Sequence, residues 1–97
     1  MTKRQAHSNC PVAAVAQLLS DAWTMLIIRD LLRGPQRFGT LCESLDGIST
    51  RTLTAKLKRL TEAGIVVRKE PAYALTPQGR KLARIIRAMS VYGEQYL

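Results

Sequence analysis

Acid is scarce in this sequence: seven Asp and Glu stand against fifteen Lys and Arg, for a net charge of +8. An imbalance of that size points to a polyanionic partner, nucleic acid first and an anionic membrane second. Cysteine is almost as scarce. Cys10 and Cys42 alone exclude a secreted disulfide framework and suit the cytoplasm, where thiols stay reduced. Long apolar runs are missing too, since Pro11 to Leu19 is short and interrupted by Gln17. With no stretch of about 18 apolar residues, neither a membrane span nor a signal peptide is expected. Histidine occurs once, as His7, beside no paired carboxylates, Ser/His/Asp set or Gly-rich phosphate loop, so an enzyme is not expected. His7, Cys10 and Cys42 make three zinc donors without a fourth, and no metal or cofactor is expected either.

What is present fits one domain. The chain has 97 residues and 46% hydrophobic content, enough for a single modest core, with no internal repeat or low-complexity linker. Residues 1–9 read as a polar, flexible arm. Pro11 suits the first position of a helix over residues 10–20, with Val12, Val15, Ala16 and Leu19 as its apolar stripe. A second helix runs from Asp21 through Trp23, Ile27, Ile28, Leu31 and Leu32 to a Gly34-Pro35 stop, and has the composition of a central core helix. Phe38, Leu41, Cys42 and Leu45 recur at i, i+3, i+4, i+7 in a short helix that ends at Asp46-Gly47.

A Ser49 N-cap, preceded by Ile48 as a staple for Leu53, then opens a helix toward Gly64. The runs "IVVRK" and "YALT", joined by Glu70-Pro71-Ala72, read as a hairpin. Thr76-Pro77 opens a last helix. The expected fold is mostly α with a small β-hairpin, in the order α-α-α-α-β-β-α. Residues 38–64 form a helix-turn-helix and residues 65–75 a short wing, which together make a winged helix-turn-helix.

The helix that starts at Ser49 places Leu53, Leu57, Leu60 and Gly64 on one arc, with Arg51, Ala55, Lys58 and Glu62 opposite. Ser49, Thr50, Arg51, Thr52, Thr54 and Ala55 offer the hydroxyls, methyl and guanidinium that read base edges in a major groove. Lys56, Lys58 and Arg59 lie further along and are expected on phosphates. Arg37, Arg68 and Lys69 of the flanking segments, with Arg80 and Arg84 of the last helix, complete the expected DNA contacts.

The ordered set Cys10-Pro11, Trp23, "GPQRF", Ile48-Ser49, Leu53-Thr54, "GIVVR" and "YALTPQG" resembles the HxlR family of bacterial and archaeal winged helix-turn-helix regulators along nearly the whole chain. The resemblance implies a cytoplasmic, nucleoid-associated homodimer that represses or activates transcription from double-stranded DNA at a pseudo-palindromic operator. It also implies dimer contacts from residues 10–20 and 76–97. Val12, Val15, Leu19, Ile85, Met89, Tyr92 and Tyr96 are the expected interface, because the last helix carries more apolar surface than one small core needs.

Some family members sense oxidants, quinones or aldehydes through the cysteine matching Cys10. A helix start, with its unpaired N–H groups, favours an anion there, whereas Cys42 lies on an apolar stripe. The inducer itself is left unknown. The competing expectation is a winged-helix protein-interaction module, without sequence-specific DNA binding, whose charge serves only solubility.

Overall fold

A computed structural model describes residues 10–97; the arm at 1–9, with Lys3, Arg4 and His7, lies outside the described residues. Helix α1 spans Pro11–Leu19, with Pro11 in its first turn and Cys10 as its N-cap. There the Cys10 Sγ accepts a hydrogen bond from the Ala13 N–H at 3.5 Å. Helix α2, Ala22–Leu31, is capped by Asp21, whose Oδ1 accepts from the Thr24 N–H at 2.9 Å. The two-residue strand β1, Gln36–Arg37, leads into α3, Phe38–Ser44, and then into α4, Thr50–Glu62. Strands β2, Val66–Lys69, and β3, Ala72–Leu75, form the hairpin, followed by α5, Pro77–Arg80, and α6, Ala83–Tyr96.

Two features depart from the order expected of the sequence. The sheet has three antiparallel strands, ordered β1-β3-β2, because Gln36 pairs with Tyr73 and Arg37 with Ala72. Two residues are too few for any alternation to show. The second departure is a break in the last helix. Lys81 N–H bonds Gln78 C=O at 3.2 Å and Leu82 N–H bonds Gly79 C=O at 3.0 Å, so the ladder tightens to i→i−3 and restarts only at Ala83.

The core is built around α2. Ile27, Ile28 and Leu31 meet Leu41 and Leu45 from α3 and its turn, and Leu53, Leu57 and Leu60 from α4. Ile65, Val66 and Leu75 close it from the hairpin. One charge lies inside. Asp30 is buried, yet its Oδ2 accepts from Ser44 Oγ at 2.6 Å and its Oδ1 from Arg29 Nη2 at 2.9 Å. Gln36 Nε2 also donates to the Asp30 carbonyl at 3.1 Å. These bonds tie α3 and β1 to the core helix and satisfy a carboxylate that burial alone would penalise.

Candidate nucleic-acid interface

The turn between α3 and α4 is closed by Ile48 N–H to Leu45 C=O at 3.0 Å, with Gly47 at φ 93° supplying the left-handed residue the bend requires. Ser49 Oγ then accepts from the Thr52 N–H at 3.0 Å and donates to Thr52 Oγ1 at 3.0 Å. Thr52 thus stands where a capping box has Glu and meets the cap hydroxyl instead. At the far end, Gly64 N–H bonds Thr61 C=O at 3.1 Å and Ile65 N–H bonds Leu60 C=O at 3.0 Å, a Schellman stop with Gly64 at φ 79°. Both Leu60 and Ile65 are buried, so the stop aims β2 back along the core.

With Leu53, Leu57 and Leu60 buried, Thr50, Arg51, Thr54, Ala55 and Lys58 stand exposed on the other side of α4. No acidic partner reaches Arg51 or Lys58 among the described residues. Beside them the wing presents Arg68, which pairs with Glu70 at 2.6 Å and lies over the Tyr73 ring at 5.4 Å. Lys69 is exposed at the wing tip and Arg37 at the N-cap of α3. Thr54, Lys58, Arg68 and Tyr73 line one concavity between α4 and the wing. Arg84 is exposed in a basic patch with Arg80, Lys81 and Arg87, although Arg80 Nη1 also donates to the Leu75 carbonyl at 3.1 Å.

Three expected site residues face elsewhere. Lys56 is turned inward to an ion pair with Asp21, and its side chain is 25% exposed. Arg59 donates from Nη1 to Ser20 Oγ at 2.9 Å and from Nη2 to the Gln17 carbonyl at 2.7 Å. Both cations therefore hold the corner between α1 and α2. Helical position separates them from Lys58, since Lys56 and Arg59 sit three apart on the flank next to that corner. Leu19, expected at the dimer surface, is 6% exposed and belongs to the core, because the corner folds the end of α1 onto α2.

Sequence reasoning missed the Asp21–Lys56 and Asp30–Ser44 pairings, which span 35 and 14 positions and leave no local pattern. Burial alone would raise the Asp21 carboxyl, but hydrogen bonds from Lys56 and the Thr24 N–H, with the Lys56 charge, hold it below the ordinary carboxylate range.

The remaining expected interface residues are open. Val12, Ile85, Met89, Tyr92 and Tyr96 are exposed, Val15 is half-buried, and α6 has no buried residue. Val12 and Val15 of α1 line one cleft with Ile85 of α6, and the Tyr92 and Tyr96 rings meet tilted by 41° with their centroids 4.9 Å apart. Cys10 is exposed at the start of α1, while Cys42 is half-buried against the core. No single helix among the described residues is long and apolar enough to cross a membrane.

Known proteins share this arrangement. A model of the HxlR-like helix-turn-helix family matches residues 18–97. The HTH-type transcriptional regulator sll1512 of Synechocystis is 36% identical over 95 residues, covering 91% of this chain and 70% of that protein. Quinone-bound YodB from B. subtilis superposes with a TM-score of 0.82 at 34% identity, over 90% of this chain and 100% of that one. The redox regulator HypR in its reduced form superposes with a TM-score of 0.79 at 28% identity, over 88% and 91%. A match from the end of α1 through every later element, on a winged helix-turn-helix shared with regulators, places the chain in the HxlR-like helix-turn-helix family of transcriptional regulators.

Proposed function

We propose that the chain is a sequence-specific regulator that binds double-stranded DNA in the cytoplasm as a homodimer and sets α4 into the major groove. The observation that carries this reading is the outward face of α4, where small hydroxyls, a methyl and two cations without acidic partners stand beside a basic wing. Thr50, Arg51, Thr54 and Ala55 face base edges. Lys58, Arg37, Lys69 and Arg84 face phosphates, and Arg68 and Arg80 adjoin them. The second copy pairs through α1 and α6, which places Val12, Val15, Ile85, Met89, Tyr92 and Tyr96 across a two-fold axis and calls for a pseudo-palindromic operator.

Duplex binding measured against salt tests the reading. Phosphate neutralisation gives a log-log slope of about −0.9 per contact. Absence of duplex binding, or a flat slope, would instead support a module that holds a protein partner.

Responsiveness to electrophiles forms a second part. The relatives include a quinone-bound regulator and a redox regulator, and Cys10 is exposed at the helix that pairs the two copies. Modification of its thiol at that position shifts the separation of the two α4 helices. Iodoacetamide should therefore label the Cys42→Ser variant, which keeps Cys10, faster than Cys10→Ser, and a quinone or diamide should lower operator affinity. Faster labelling at Cys42, or an affinity unmoved by oxidation, counts against this part and leaves DNA binding intact.

A further inference from the structure

Helix α6 has a second apolar face toward α2, which adjoins the proposed dimer face of Ile85, Met89, Tyr92 and Tyr96 at Met89. At about 100° per residue, Ala83, Arg87 and Ser90 lie about 150° around the helix from the centre of that set. They face α2, and the two helices enclose a groove of about 490 Å³, within the range of small-molecule sites. Met25, Leu26 and Leu32 line its α2 side and Ile86 its α6 side, all partly buried against the core, and the exposed Met89 lines it as well.

The groove runs into a basic patch. It shares Ala83 and Arg87 with the basic patch that continues through Arg80, Lys81 and Arg84. Arg29 also lines it, but its Nε and Nη2 both bond Asp30 Oδ1, at 3.1 and 2.9 Å. Arg87 has no partner among the described residues, and no carboxylate lines the groove. An apolar trough that opens onto unpaired cations is complementary to an amphipathic anion. No aromatic ring lines it, and its methionine and leucine side chains adapt to a flexible chain better than to a flat one.

We infer that this groove binds a medium-chain aliphatic carboxylate, with the carboxylate on Arg87 and the chain along Met25, Leu26, Leu32 and Ile86. Its position gives binding a consequence, which rests on the proposed DNA-binding dimer. Helix α2 is tied to α4 through the Asp21–Lys56 ion pair, and α6 carries the dimer face. A chain wedged between them changes the separation of the two α4 helices and lowers operator affinity.

The test titrates the whole chain with octanoate by calorimetry, with octanol and inorganic phosphate as comparators. Octanoate should bind saturably, octanol about tenfold more weakly, and phosphate not at all in the same range. Arg87→Leu should weaken octanoate about tenfold and leave octanol unchanged, because only the charge-assisted bond is lost. Ser90→Trp, at an exposed position, should fill the groove and exclude both, with the folded circular dichroism spectrum retained. Equal octanoate affinity in wild type, Arg87→Leu and Ser90→Trp would overturn the site. So would a wild type that ignores octanoate while Ser90→Trp changes the mass on a sizing column, which would make the groove an interface with a second copy. Octanoate binding that leaves operator affinity unmoved overturns the regulatory consequence. Loss of all duplex binding overturns the DNA reading, and the octanoate titration then still decides the groove.

Discussion

Arg51 and Lys58 share the outward face of α4 but stand two turns apart, and in the proposed complex that separation divides reading from holding. Arg51 lies in the first turn, where the proposed docking of α4 would bring its guanidinium to guanine in bidentate fashion. Arg51→Ala should cost about 1–3 kcal/mol on the specific operator and much less on random duplex, measured by fluorescence anisotropy. Lys58→Ala should weaken all duplexes alike and reduce the magnitude of the salt slope by about 1. Lys56 differs in kind, since its ammonium is held by Asp21 inside the molecule. The Asp21 carboxyl sits below its ordinary value when folded, so the unfolded chain takes up its proton first as the pH drops. Its contribution to stability is therefore present above about pH 4 and lost as pH falls through the lower folded value. The melting temperature of the wild type should fall more steeply below about pH 4 than that of Asp21→Asn. Parallel curves would show that the pair contributes nothing measurable.

Among the elements, the short α5 governs how the wing is seated. Thr76 Oγ1 accepts from the Gly79 N–H at 3.0 Å and lies 2.6 Å from the Gly64 carbonyl, so one side chain caps α5 and fixes the chain leaving α4. Gly79 is buried against the residue that precedes β2, where an added Cβ would lie 2.2 Å from the Ile65 carbonyl oxygen. A backbone atom cannot step aside as a side-chain tip does. Gly79→Ala should destabilise the fold by about 1–3 kcal/mol, read as a lower urea midpoint with an unchanged m-value. A midpoint equal to the wild type would mean that α5 shifts freely on the hairpin. Arg59 and Lys56 act at the same scale, binding α4 to the α1–α2 corner, so a displacement of α1 reaches the reading helix directly.

At the scale of the whole molecule, the exposed apolar surface is concentrated on α1 and α6. Val12 is 77% exposed, Tyr92 60% and Tyr96 68%, more than a lone small domain ordinarily leaves to water. A two-fold pairing of these faces sets the α4 helices about 34–36 Å apart, one turn of duplex. Tyr92→Asp or Met89→Asp should yield a monomer by light scattering and a large loss of operator affinity, since each half-site is then bound alone. A dimer that persists in both variants would move the interface elsewhere.

Periodicity and punctuation in the sequence determined much of this protein. The leucine arc of α4, the Ser49 and Thr76 caps, the Gly64 stop and the hairpin residues are local signals, because caps and helical faces depend on neighbours within about four positions. The excess of positive charge and the outward Arg51 and Lys58 were legible for the same reason. Pairings distant along the chain belong to tertiary structure. Strand β1 exists because Gln36 and Arg37 meet Tyr73 and Ala72, and α5 is seated by the close approach of Gly79 to Ile65. Leu19 left the expected surface for the core, and Lys56 and Arg59 gained partners inside the molecule, all through the folded corner of α1 and α2. Helical spacing tells which side of a helix a residue occupies, but which neighbour waits on that side is decided only when the elements pack.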